Sequence, residues 1–124
     1  MNYSRCVGEL RTAVLEIDLR LSADGHVMLM HDDTLDRTTN GHGPLAQLSL
    51  AQLKALDAAA HYPALRGQGV TVPTLDEAMR ALASAHPHLI FIWDIKDARV
   101  VPLVPEVRPA CASACACVRA SLWC

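Results

Sequence analysis

The chain has 124 residues, of which 52% are hydrophobic and 19% charged, enough for one domain with its own core and unlike a disordered or fibrous chain. Eleven lysine and arginine residues against thirteen aspartate and glutamate residues give a net charge of −2, without the basic excess typical of a nucleic-acid-binding surface. No apolar run approaches the roughly 20 residues that cross a bilayer, so we expect a soluble chain. Its compartment is left open, cytoplasmic or elsewhere in solution.

The first predicted element is a β-strand over residues 12–21 (TAVLEIDLRL). Its side chains alternate, with aliphatic residues on one face and Glu16 and Asp18 on the other, which is the period of a strand. Asp24-Gly25 predicts a hairpin turn, because glycine tolerates the positive φ that such turns need. Residues 26–31 (HVMLMH) then return as a second strand.

Polar turn formers fill residues 32–43, which predicts a long loop. Ser49 and Gln52 have the spacing of a capping box, so a short helix is predicted from there to about Ala60.

The same capping signal recurs at Thr74 and Glu77, followed by an apolar face with helical spacing. Residues 89–95 (LIFIWDI) are almost continuously apolar, as in a parallel strand covered on both sides. Strand, helix and strand in this order predict an α/β fold.

Four charged residues on strands are candidates for chemistry. Glu16 and Asp18 share a strand face at a separation of roughly 6–7 Å, which suits a hard divalent cation. A solvent-exposed outer face without a cation would have the same sequence pattern. Asp94 and Lys96 interrupt an apolar strand, so each must be paired, metal-bound or at a strand end. A structural ion pair is the plain alternative to a site.

His31 ends the second predicted strand beside the acidic loop. An imidazole there could act as a general acid or base near neutral pH. Taken alone, it would more often be a surface histidine.

Together these segments resemble the glycerophosphodiester phosphodiesterase family. The matching stretches are LEIDLRLSADGHVMLMHDDTLDRTTNGHG, VPTLDEAM and FIWDIK, in the family's order. The AAAH at His61 and the D-x-K at Asp94 are more similar to the animal membrane-associated branch than to the bacterial periplasmic one.

The resemblance implies a partial TIM (β/α)8 barrel of the phospholipase-C-like phosphodiesterase type. It implies metal-dependent hydrolysis of glycerophosphodiesters to glycerol 3-phosphate and an alcohol, a reaction of lipid metabolism. Glu16, Asp18 and Asp94 match the family's carboxylates for Mg²⁺ or Ca²⁺. His31 matches one of two catalytic histidines, and Lys96 a positive group near the phosphate.

The resemblance also covers the signature loop, where we expect Asp32, Asp36 and Arg37 to order the chain rather than react. Two family features do not appear before Glu16: the H-R-G strand end and the E-N-T helix start. The second catalytic histidine and the phosphate-binding arginine of the family are therefore absent.

We accordingly expect a barrel that is incomplete at both ends, because a full one needs about 250 residues. Residues 1–11 form a divergent N-terminal segment, 12–97 the partial phosphodiesterase domain, and 98–124 an irregular tail rich in proline and cysteine. The alternative function is a catalytically dead, truncated form that acts as a cation-binding or interaction module. Its open sheet edges favour self-association, and we expect membrane association only of a full-length form.

Four cysteines crowd the tail: Cys111, Cys115, Cys117 and Cys124. Four thiolates could bind zinc, although the spacing is not that of a zinc knuckle. Acylation of these cysteines and a tail without function are the other interpretations.

Overall fold

The computed structural model describes residues 14–86, 89–104 and 116–119. The strands are β1 (Val14–Leu21), β2 (Val27–Leu29), β3 (Ile90–Ile95) and β4 (Ala116–Arg119), and the helices are α1 (Leu50–Lys54) and α2 (Leu75–Ala85). Short 3₁₀ turns lie at Leu45–Gln47 and Ala98–Val100. Within these ranges, none of the helices combines the length and the apolar character needed to cross a bilayer.

The strands form one sheet in the order β2-β1-β3-β4. β2 runs antiparallel to β1, whereas β3 is parallel to β1 and β4 is parallel to β3. The predicted hairpin is present, and Gly25 adopts φ 85° at its turn, a conformation that only glycine takes up without strain. In the parallel pair, Asp18 lies opposite Asp94.

The main hydrophobic core lies between one face of the sheet and α2. Odd-numbered residues of β1 and β3, such as Ile17 and Phe91, are buried there. Leu75, Met79 and Leu82 of α2 cover them from the other side. A second cluster lies beneath the loop that follows β2 and contains Met28, Met30, Leu35, Leu45, Leu53 and Val72.

Both predicted capping boxes are confirmed, at Ser49 with Gln52 and at Thr74 with Glu77. The first helix is shorter than predicted, since α1 ends at Lys54 instead of about Ala60. The backbone N–H of Asp57 donates to Asn40 Oδ1 at 2.8 Å, so it does not continue the helical pattern. Side-chain hydrogen bonds here compete successfully with helix propensity.

The prediction that β3 is covered on both sides is wrong. Its buried residues alternate with partly exposed ones, and Ile90 is 40% exposed. As far as the described residues show, one face of β3 packs against α2. The other face is the one that carries Asp94.

The prediction of an irregular tail over 98–124 is wrong for two segments. Residues 98–100 form a 3₁₀ turn, and Val100 and Val104 are buried in the main core. Residues 116–119 form β4, whose pairing satisfies backbone groups at the edge of β3. The segment 1–11, and Cys111, Cys115 and Cys124 with their proposed zinc site, lie outside the described residues.

Candidate active site

Three carboxylates from β1 and β3 meet on the sheet face away from α2. Glu16, Asp18 and Asp94 each offer one oxygen atom, and these atoms all lie within 4.8 Å of one another. Parallel register explains the convergence, because Asp18 and Asp94 are cross-strand neighbours while Glu16 is two residues along the same face. One oxygen of Asp94, Oδ1, is buried and has no hydrogen-bond partner among the described residues.

Lys96 supplies the positive charge nearest to these carboxylates. Its Nζ lies 2.7 Å from Asp94 Oδ2 and 3.2 Å from Asp18 Oδ1. The hydrogen bond to Asp94 contributes most to raising the pKa of the lysine, so the ammonium is charged at neutral pH. Three carboxylates and one ammonium leave a formal charge of −2, which favours a divalent cation.

The electrostatics of Glu16 reflect this crowding. Partial loss of hydration raises the pKa of Glu16, and the charges of Asp18 and Asp94 raise it further. Lys96 and His31 act in the opposite direction but do not cancel the increase. An uncompensated repulsion among carboxylates is the condition that a bound cation would relieve.

His31 stands where the chain leaves β2, and its ring is held by the next residue. Its Nδ1 lies 2.8 Å from Asp32 Oδ1. Arg37 in turn donates to both oxygens of Asp32, at 2.6 and 3.0 Å. These hydrogen bonds keep the pKa of Asp32 well below its usual range. When Nδ1–H donates to this carboxylate, Nε2 is left free to exchange a proton.

Arg20 also positions His31, and sequence reasoning missed it. Its Nε and Nη2 both donate to the backbone carbonyl of His31, at 3.0 and 2.9 Å. Arg20 lies on the same strand face as Asp18, two residues further along β1. That alternation was the available signal, because a cation at this position must face the same side as the carboxylates.

Asp36 lies in the same loop, but its hydrogen bonds are to other residues of the loop and not to His31. It accepts hydrogen bonds from His42 Nδ1 and from the backbone N–H of Gly43, each at 3.0 Å. The hydrogen bond from His42 contributes most to lowering the pKa of Asp36. Asp36 thus braces the signature loop, whereas Asp32 and Arg37 act next to His31.

A cleft of about 470 Å³ opens beside two of the carboxylates, Glu16 and Asp18, and its volume is within the size range of small-molecule sites. Glu16, Asp18, His31 and Arg37 line it together with residues 58, 62, 72 and 73. The site therefore combines a cluster of three carboxylates, a histidine and a space for a small ligand. Fold and site together define an α/β protein with an acidic cleft of the kind that enzymes use.

Comparison with known proteins identifies the family. The sequence profile of the Glycerophosphoryl diester phosphodiesterase family matches residues 9–122, and the chain belongs to this family. The resemblance drawn from the motifs is thereby confirmed. The match extends into the tail as far as residue 122.

Individual relatives agree. A glycerophosphodiester phosphodiesterase of Caldanaerobacter subterraneus subsp. tengcongensis is 38% identical over 100 residues, which cover 81% of this chain and 39% of the relative. Glycerophosphodiester phosphodiesterase 1 of Bos taurus is 40% identical over 86 residues, covering 68% of this chain and 25% of the relative. The chain thus spans less than half the length of these relatives.

Solved structures support the same fold. A phosphodiesterase of Oleispira antarctica, in complex with the product sn-glycerol-3-phosphate, aligns with a TM-score of 0.78 and 28% identity over 92% of this chain and 48% of its own. A glycerophosphodiester phosphodiesterase of Agrobacterium tumefaciens aligns with a TM-score of 0.66 and 30% identity. The alignment covers 86% of this chain and 45% of the Agrobacterium chain. The predicted partial TIM-barrel fold is confirmed.

Proposed function

We propose that this chain carries the cation-binding and proton-transfer part of a glycerophosphodiester phosphodiesterase. The reaction is hydrolysis of a glycerophosphodiester to glycerol 3-phosphate and an alcohol. The observation that carries the proposal is the convergence of Glu16, Asp18 and Asp94, with one buried oxygen of Asp94 left without a hydrogen-bond partner in the described part of the chain.

The donor set fits Mg²⁺ or Ca²⁺. Both ions prefer oxygen ligands, and the three side chains offer only carboxylates. An unpartnered, buried carboxylate oxygen is costly, and coordination would satisfy Asp94 Oδ1. A cation held there would supply charge stabilisation to the non-bridging oxygens of a phosphodiester.

His31 is the proposed proton-transfer residue. Its ring lines the cleft, and Asp32 and Arg20 hold the ring and the backbone respectively. Nε2 would take a proton from the attacking water or give one to the departing alcohol oxygen. Asp32 is a positioning residue, because it acts through the imidazole.

Lys96 is the proposed phosphate-contacting residue. Its ammonium already lies among carboxylates, and its raised pKa keeps it charged at neutral pH. With a cation on the carboxylates, the ammonium would be free to donate to a phosphoryl oxygen. Charge stabilisation of this kind is the main contribution that proteins make to phosphoryl chemistry.

The domain boundaries are part of the proposal. Residues 12–97 carry every proposed site residue, and 98–104 complete the core with Val100 and Val104. The substrate is a small molecule rather than a nucleic acid. Membrane association of a longer form stays a prediction from the sequence.

A second candidate is an interaction module that binds a cation without turnover. Val14 and Ile90 are paired neighbours in the sheet and are 44% and 40% exposed, which leaves an apolar patch on the same face as the carboxylates. This module would self-associate through the patch. Light scattering should then show a mass that rises with concentration and falls back to the monomer in the Val14→Ser/Ile90→Ser variant.

The deciding experiment is a pair of measurements on the purified chain. Calorimetric titration with Mg²⁺ and Ca²⁺ tests the site, and release of choline from glycerophosphocholine tests turnover. We expect Glu16→Ala to weaken cation binding on the order of tenfold or more and to remove turnover. Asp33→Asn is the matched control, because the Asp33 side chain has no partner among the described residues and lies outside the cleft.

Each outcome assigns a function. Cation-dependent turnover that is lost in Glu16→Ala supports the phosphodiesterase. Cation binding without turnover supports the module. Absence of heat with either ion, or equal turnover by wild type and Glu16→Ala, overturns the proposed role of the three carboxylates.

A further inference from the structure

The cleft extends beyond the carboxylates to an apolar end. Six residues line that end: Leu29, Met30, Ala58, Tyr62, Val72 and Pro73. Tyr62 differs from the rest because its side chain is not part of either core and is 61% exposed. A large exposed aromatic residue on a cleft wall contributes little to stability and offers a contact surface for a ligand.

Tyr62 is held in place by the loop that carries it. Asp57 accepts hydrogen bonds from the backbone N–H groups of Gly67 and Ala59, both at 2.8 Å. His61, the neighbour of Tyr62, has its Nε2 at 3.1 Å from the Thr39 carbonyl oxygen. The loop is therefore anchored on both sides of Tyr62, while the phenol hydroxyl itself has no hydrogen-bond partner within the described part of the chain. The backbone around Tyr62 is therefore fixed while its side chain remains uncovered, and this combination suits a preorganised contact with a ligand.

We propose that Tyr62 contacts the alcohol half of the glycerophosphodiester and sets which alcohols are accepted, an inference that rests on the proposed function. The class of alcohol follows from the lining. Ala58 and Pro73, which are both half-buried, and the exposed ring of Tyr62 offer carbon surface, so the accepted group presents carbon, such as methyl or methylene groups. The aromatic face of Tyr62 also suits a quaternary ammonium.

The glycerol half fits this end poorly. It carries two free hydroxyls, each of which needs a partner when it leaves water. Two side-chain hydroxyls lie on this wall: Thr38 Oγ1 is directed to Met30 Sδ at 3.3 Å, and the Tyr62 hydroxyl is a single partner for two glycerol hydroxyls. Glycerol is thus better placed toward the charged end, and the variable alcohol toward Tyr62.

The test compares two ligands on the full chain in the presence of Mg²⁺ or Ca²⁺. Glycerophosphocholine carries both halves, whereas glycerol 3-phosphate lacks the alcohol. We expect Tyr62→Ala to weaken binding of glycerophosphocholine about three- to tenfold and to leave binding of glycerol 3-phosphate unchanged. Tyr62→Phe should retain wild-type affinity for both ligands, because the ring face and not the hydroxyl makes the contact.

Leu65→Ala is the matched control, since Leu65 is 47% exposed on the same loop and does not line the cleft. Unchanged binding of glycerol 3-phosphate also shows that Tyr62→Ala is folded. If Tyr62→Ala weakens both ligands equally or neither, or if Leu65→Ala has the same effect, the role of Tyr62 is overturned and the proposed function stands. If the wild type binds neither ligand, the proposed function fails and the inference fails with it.

Discussion

The two faces of the β1–β3 sheet come from the same eight- and six-residue strands, but they have opposite effects on the stability of the fold. The face toward α2 is aliphatic and aromatic, and Ile17 is 0% exposed there. The other face gathers three carboxylates and a lysine within a few ångströms. Burial of apolar surface on the first face stabilises the fold, whereas like charges on the second face oppose it. Strand alternation therefore allows one element to hold both the core and the site.

The largest effect expected from this comparison is on the core face. Ile17→Ala should lower the free energy of unfolding by about 2–5 kcal/mol, because it leaves a cavity in a closely packed core. Ile90→Ala is the matched control on the other face, and we expect a loss of about 1 kcal/mol or less. Urea unfolding of the two variants measures the difference. Equal losses would show that the two faces are not distinct in packing.

The next effect concerns the charge balance of the site face. Lys96→Met removes the ammonium between Asp18 and Asp94 and should cost about 1–3 kcal/mol, because partly buried carboxylates lose their partner. Saturating Ca²⁺ should recover more stability in this variant than in the wild type, since the cation replaces the lost charge.

Arg99→Met is the control for Lys96→Met. It breaks an ion pair with Asp97 outside the site, and the Arg99 side chain is 54% exposed. Because the pair is solvent-screened, we expect a smaller loss of stability than in Lys96→Met. If Lys96→Met costs no more than this control, Lys96 does not neutralise the carboxylates.

A smaller effect is expected where α2 covers the core face. Thr74→Ala removes the side-chain oxygen that accepts from the Glu77 N–H at 3.2 Å and should cost about 1 kcal/mol. Thr74→Ser keeps the hydroxyl and should be close to wild type. Thermal or urea unfolding checks both, and a serine variant as unstable as the alanine variant would contradict a capping role.

Most of this arrangement was predictable because strand period and capping chemistry are local. The alternation around Glu16 and Asp18 predicted both faces of β1, and Thr74 with Glu77 predicted the start of α2. The pairing of Arg20 with the His31 carbonyl was not predictable, because it depends on how the hairpin brings two residues eleven positions apart together.

The end of α1 and the strand β4 were missed for a related reason. Side-chain hydrogen bonds around Asp57 stop the helix where its sequence could continue. β4 has no clear strand period and is identified by its pairing with β3. In both cases a contact distant in the sequence overrides the local pattern.

The smallest expected effect is a dependence of folding stability on pH, which comes from the site face and not from the core face. The pKa of Glu16 is raised in the folded chain, so the unfolded state releases this proton more readily than the folded state. The wild type therefore loses stability as the pH rises from below 4.5 through the pKa of Glu16 in the folded state. Glu16→Gln cannot ionise, so without a cation we expect it to gain stability relative to the wild type between pH 4 and pH 7. Saturating Ca²⁺ at pH 7 should reverse the order, because only the wild type keeps all three carboxylates.

Urea unfolding at the two pH values, with Asp33→Asn as the control carboxylate, measures the change. An identical pH dependence in Glu16→Gln and the wild type would mean that the carboxylates do not repel one another, and the site face would then impose no cost on the fold.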